Sequence, residues 1–153
     1  MKKVVLLLAV MIVATIGAVA QNPIKWRTSV SMTSETEGVV TMKAVLQQGW
    51  HLYGTELPAG GPKATKFDFS ASQGVQFVGT PVPSIKPVEK HDAMFNLTLN
   101  WWDKNVTFTQ KFKVTDATAA KIVGVINYMG CNDETCAPPK KEKISIVVPP
   151  YKK

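Results

Sequence analysis

The chain has 153 residues, 45% of them hydrophobic, with 18 Lys and Arg against 11 Asp and Glu and a formal net charge of +7. That length suits one domain with a real hydrophobic core. The basic residues are scattered, with Lys140, Lys141 and Lys143 the densest group; this is the pattern of a solvated surface, or of a face that docks an acidic partner, and not of a nucleic-acid reader, which gathers its charge on one face.

Met1-Lys2-Lys3 opens the chain, an apolar run extends from Val4 to Ile16, and Ala18-Val19-Ala20 offers a small-x-small cleavage site. This is the layout of a secretory signal peptide with cleavage before Gln21. The run, about 13 residues, is short of the roughly 20 that a membrane helix needs. Residues 1–20 are therefore expected to be a signal peptide and residues 21–153 one exported domain. Losing Lys2 and Lys3 leaves 16 basic residues against 11 acidic ones, a net charge of +5. No later segment is apolar enough to predict a span, and no Cys lies near the cleavage site to carry a lipid anchor.

Strand periodicity dominates the chain beyond the cleavage site. Candidates in chain order are Ile24 to Met32, Val39 to Leu46, Lys66 to Phe69, Val75 to Val78, Leu97 to Trp101, Val106 to Val114, Lys121 to Tyr128 and Lys143 to Val148. In Val106 to Val114 the apolar residues Val106, Phe108, Phe112 and Val114 alternate with polar ones, and only Gln110 breaks the set; a half-buried strand needs this period of two. Gly, Pro, Asn and Asp separate the runs. About eight short strands spaced this way predict an all-β fold, an antiparallel sandwich or barrel. Pro81 to Phe95 is the longest stretch without a strand pattern and is expected to be a loop; loops of that length tend to be functional or disordered. Ala117 to Lys121 suggests one helical turn. Trp101 and Trp102 are neighbours in a strand, so one faces the core and the other the surface.

The two cysteines sit in Gly130-Cys131-Asn132-Asp133-Glu134-Thr135-Cys136-Ala137-Pro138-Pro139, between two apolar strands. Gly, Asn and Asp favour a tight turn there, and such a turn can bring the Cα atoms to the roughly 4.4–6.8 Å that a disulfide spans. Three readings are open. A structural staple closing so short a loop adds only about 2 kcal/mol. A redox-active pair must be reachable, because exchange runs through a mixed disulfide, and an exposed corner provides that. A metal site would need further ligands; His51 and His91 are the only histidines, which makes a weak signature, and no metal or other cofactor is expected.

Three segments carry a family resemblance. The cysteine stretch resembles the active-site segment of the DsbD N-terminal periplasmic domain family of thiol–disulfide interchange proteins. Gly49-Trp50-His51-Leu52-Tyr53 resembles that family's glycine–aromatic–x–Leu–Tyr segment, and Glu89-Lys90-His91-Asp92-Ala93-Met94-Phe95 falls where the family has its cap loop. Order and spacing match over roughly Trp26 to Val148, with one residue fewer between the cysteines. The resemblance implies an immunoglobulin-like antiparallel β-sandwich, a periplasmic location, and Cys131–Cys136 as a pair shuttling between dithiol and disulfide. It implies thioredoxin-like donor and acceptor partners, Cys136 as the sulfur attacked and Cys131 as the resolving one. Asp92 matches an acidic cap-loop residue. The shielding cap side chain falls at Met94 or Phe95, with Phe95 preferred for its rigid ring. Tyr53 matches an aromatic lining the cysteines, with His51 two residues back on the same face. The chain stops at Lys153 without a linker or span, so a separate membrane reductase is expected.

The competing readings are plain ones: Tyr53 as core, His51 as a half-exposed strand residue, Met94 and Phe95 as the start of the next strand, Asp92 as a turn residue. The whole chain could be a binding module with a static disulfide. Asp133 and Glu134 lie inside the cysteine loop without any Lys or Arg, and thiolates form less readily beside carboxylates. Titration of the reduced protein is therefore expected to give thiol pKa values at or above about 8.5; a value near the ~6 of activated cysteines would contradict this.

Overall fold

A computed structural model describes residues 22–153. The expected signal peptide lies outside the described residues. Eleven strands make up the regular structure: β1 (Ile24–Met32), β2 (Glu37–Leu46), β3 (His51–Tyr53), β4 (Lys66–Asp68), β5 (Val75–Pro83), β6 (Val88–Asp92), β7 (Leu97–Trp102), β8 (Val106–Val114), β9 (Lys121–Tyr128), β10 (Gly130–Cys131) and β11 (Lys140–Val147). Every pairing is antiparallel. The sheets run β1-β2-β8-β5, β10-β3-β7-β6 and β11-β9-β4. The architecture is an all-β, immunoglobulin-like sandwich, and no helix occurs among the described residues.

The period of two explains the layers. On β8, Val106, Phe108, Gln110 and Phe112 are buried while Thr109, Lys111 and Lys113 are exposed. On β9, Ile122, Gly124, Ile126 and Tyr128 alternate inward. These meet Ile24 and Trp26 of β1 and Val40, Met42 and Ala44 of β2 in one apolar core. Phe108 is wholly buried, with Trp102 standing edge-on to it at 5.0 Å and Phe67 tilted at 4.9 Å. Each fully buried apolar side chain of this size is worth roughly 1.5–3 kcal/mol.

Gln110, the polar break in that pattern, is 2% exposed. Its Nε2 donates to the carbonyls of Val78 (3.0 Å) and Gly79 (3.3 Å). There β5 bulges, the register slipping between Val78 and Val82 with Gly79 at φ 69°. A bulge leaves ladder carbonyls unpaired, and a buried amide satisfies them.

Four expectations are corrected. The strand expected to end at Val78 continues as β5 to Pro83; β5 is a sheet edge, where a missing N–H breaks no ladder, so Pro81 and Pro83 fit. Pro81 to Phe95 is not one loop, because Val88–Asp92 forms the edge strand β6 on β7. That strand is polar and mostly exposed, as edges that resist aggregation are, and so lacks an apolar signature. The short strand β10 is absent from the expected set; two residues carry no readable period. The Ala117 region is a turn, closed by Ala119 N–H to the Asp116 carbonyl at 3.3 Å, and β9 starts directly after it.

Candidate functional site

Two turns meet above the sheet β10-β3-β7-β6. The first carries the cysteines. Asn132 builds it: its Oδ1 accepts from Glu134 N (2.9 Å) and Thr135 N (2.8 Å), and its own N–H donates to the Thr135 carbonyl (2.9 Å). Ala137 N closes onto the Gly130 carbonyl at 2.9 Å. Asn does this readily because its side chain mimics a backbone acceptor two residues on. The result is a Cys131–Cys136 disulfide with Cα atoms 4.0 Å apart, tighter than the span expected from the turn. The two sulfurs differ in access. Cys131 lies in β10, paired opposite His51, and is 1% exposed; Cys136 is half-buried. Gly130 allows this pairing, because any side chain there would run into Ile24 and the His51 carbonyl.

The second turn, Ala93 to Asn96, joins β6 to β7. Asp92 holds it from below. Its Oδ1 accepts from Met94 N (2.9 Å) and Phe95 N (3.1 Å), while Oδ2 accepts the Tyr53 hydroxyl (3.0 Å). Asp92 is thus a turn residue that is 9% exposed and tied to the wall of the site. Asn96 completes the turn at φ 53°, a left-handed conformation that Asn tolerates better than most residues.

Met94 Sδ lies 3.2 Å from Cys136 Sγ. Phe95 sits behind it, edge-on to Tyr53 at 6.0 Å, in a small apolar cluster of Tyr53, Leu99 and Cys131 flanked by Cys136. The direct sulfur contact is therefore made by Met94, and the aromatic ring backs it. Tyr53 is wholly buried on β3, and its carbonyl accepts the Thr65 hydroxyl at 2.6 Å. Burial, and next the hydrogen bond to Asp92 and its charge, push the Tyr53 phenol above its usual range. His51 shares Tyr53's face, the rings 4.9 Å apart and nearly perpendicular, and lies against Trp101 at 4.9 Å, with Tyr53 and Trp101 themselves 6.4 Å apart. An open cleft of about 550 Å³ runs beside this group, bordered by His51, Tyr53, Asp92, Met94, Asn132 and Asp133.

All seven residues singled out from the sequence (Cys131, Cys136, Tyr53, His51, Asp92, Met94 and Phe95) belong to this one corner. Trp101 belongs there too and is not among them. The sequence marks it only as half of a Trp pair with one core and one surface member; Trp102 is 2% exposed and Trp101 half-buried. What puts Trp101 beside His51 is the pairing of Tyr53 with Trp101 across β3 and β7, which no local pattern encodes. Asn132 is legible in the sequence only as a turn former.

His51 Nε2 is buried without a hydrogen-bond partner. Burial lowers the His51 pKa from 6.5, outweighing the pull of Asp92, Asp133 and Asp103 in the other direction. A group whose folded pKa is depressed contributes stability that is fully present above its unfolded value, about 6.5, and is lost as the pH falls through the folded value. The urea midpoint is therefore expected to drop from pH 7.5 to pH 5, and His51→Phe, which keeps a ring against Tyr53 and Trp101, should flatten that drop. An unchanged slope in the variant would remove His51 as its source.

No helix among the described residues is long and apolar enough to cross a membrane, and those residues contain no cluster of three or more His, Cys, Asp or Glu able to hold a metal.

No curated protein matches the chain by sequence. Among solved structures, the fold is similar to the N-terminal periplasmic domain of ScsB from Proteus mirabilis, with TM-score 0.63 and 17% identity. That match covers 86% of this chain but 49% of the other, so the chain spans about half the length of the ScsB domain. It is also similar to the reduced N-terminal domain of Neisseria meningitidis DsbD, with TM-score 0.51 and 17% identity over 78% of this chain and 83% of that one. The sequence family described as thiol:disulfide interchange protein DsbD, N-terminal, matches residues 20–148. With that match over most of its length, the chain, which carries a Cys131–Cys136 disulfide, belongs to the DsbD N-terminal family of thiol–disulfide interchange domains.

Proposed function

We propose that this protein is exported to the periplasm and relays reducing equivalents between thioredoxin-like partners through Cys131 and Cys136. The observation that carries the reading is the unequal access of the two sulfurs: Cys131, within β10, is 1% exposed, while Cys136 is half-buried with the Met94 sulfur against it. A static staple needs no such arrangement.

In the reducing half-cycle a partner thiolate attacks Cys136 Sγ. The Cys131–Cys136 bond breaks, Cys131 leaves as a thiolate and takes up a proton, and Cys136 is held in a mixed disulfide. The partner's second thiolate then attacks its own sulfur in that bond and releases Cys136. The partner leaves oxidised and this protein becomes a dithiol. Passing the electrons on reverses these steps: Cys136 attacks the acceptor disulfide and Cys131 resolves the mixed disulfide. Tyr53 and Asp92 act as positioning residues for the cap turn. His51, kept neutral by burial, puts no cation beside Cys131. The pair is thus not activated alone, which suits a carrier that reacts inside a complex.

Equilibration in glutathione and dithiothreitol buffers tests the reading. A reduction potential between roughly −200 and −270 mV, the range of known exchange proteins, is expected. A value well below about −300 mV would mark a structural disulfide and leave a non-catalytic binding module.

A further inference from the structure

We propose that Met94 is a reversible oxidation site that controls thiol access to the Cys131–Cys136 disulfide. The inference rests on the redox reading above and adds a chemical input to it.

Four methionines lie among the described residues, and only Met94 is exposed, at 49%. Met42 is wholly buried, and Met32 and Met129 are half-buried. Oxidation of a thioether follows access to the sulfur. In the disulfide state both cysteine sulfurs are already bonded to each other, which leaves Met94 as the accessible reduced sulfur of the corner. Its backbone is held by the Asp92 hydrogen bonds to Met94 N and Phe95 N, while its side chain reaches solvent.

The step is an oxygen transfer from hydrogen peroxide or a hypohalous acid. The oxidant's O–O or O–halogen bond breaks, an S–O bond forms, and the thioether loses two electrons. Water leaves in the first case, halide and a proton in the second. The disulfide is untouched. At 3.2 Å from Cys136 Sγ, the Met94 sulfur has no room on that face for an added oxygen. The product is polar where the thioether was apolar, so the sulfoxide turns outward toward water and the cleft. Cys136 is then uncovered along a line of thiol attack. A sulfoxide reductase, drawing two electrons from a thiol pair and releasing water, restores the cover. An oxidising pulse would thus speed entry of electrons into this carrier.

The test uses the mature protein with its disulfide formed. It is treated with hydrogen peroxide, freed of the excess, mapped by peptide mass spectrometry and then reduced with dithiothreitol under quenched flow. One added oxygen on Met94 and a reduction rate up by about fivefold are expected, a change of about 1 kcal/mol in barrier at tenfold per 1.4 kcal/mol. Met94→Leu should show no response to peroxide, and Met94→Gln should be fast without it. Oxygen appearing first on Met32 or Met129, or equal rates before and after oxidation, would overturn the proposal and leave the relay standing. A reduction potential in the range that marks a structural disulfide, in every form, Met94→Gln included, would overturn the relay reading and this proposal together.

Discussion

Cys136→Ser is expected to abolish disulfide exchange with a thioredoxin-like partner, and Cys131→Ser to convert the protein into a trap. The difference comes from access. With Cys136 gone, the remaining sulfur is 1% exposed and a partner thiol cannot reach it. With Cys131 gone, Cys136 keeps its half-buried place at the rim and still forms the mixed disulfide, which now lacks a resolving thiol. Turnover should fall to background in both variants, but only Cys131→Ser should accumulate a covalent complex on a non-reducing gel. Loss of so short a loop costs about 2 kcal/mol of stability, small beside the core, so both variants should fold with unchanged circular dichroism. Covalent complexes from Cys136→Ser, with none from Cys131→Ser, would reverse the assignment of the attacked sulfur. Continued exchange by either variant would remove the mechanism.

Asp92→Ala is expected to cost about 2–4 kcal/mol of stability and to leave the disulfide open to small thiols. Three hydrogen bonds end on this one carboxylate, two from the cap-turn backbone and one from Tyr53. Hydrogen bonds to charged groups are worth about 1.5–3 kcal/mol each, and a buried donor left unpaired costs about 1–3 kcal/mol. The sum is reduced because the turn can relax into solvent. Asp92→Asn keeps an acceptor for the two backbone N–H groups and should lose much less. Tyr53→Phe removes one of the three bonds, keeps the ring in the cluster, and should sit between wild type and Asp92→Ala in both urea midpoint and thiol reactivity. If Asp92→Ala loses stability but its disulfide stays as slow to reduce as in wild type, the cap turn does not govern access.

Much of this site is legible along the chain because its parts are local. The Cys131 to Cys136 loop is a turn written in Gly130, Asn132 and Asp133. Asp92 accepts from residues two and three positions ahead, and His51 and Tyr53 share a face because strands alternate. Preferring Phe95 over Met94 for the rigidity of its ring is an argument about side-chain type. Which side chain meets the sulfur depends instead on the direction of the turn that Asp92 and Asn96 impose, and the sulfur contact falls to Met94.

The all-β class, most of the strands, the cysteine loop and the segments that converge on it are written in the chain itself, since period, turn chemistry and spacing are properties of neighbouring residues. Folding in three dimensions is what settles which sulfur is sealed and which is reachable, that Trp101 rests on His51, and that β6 and β10 exist as strands. Those features arise from the register between segments far apart in the chain, Tyr53 with Trp101 and Cys131 with His51. Register is set by how the buried faces of whole sheets fit together, and no short window of sequence contains that information.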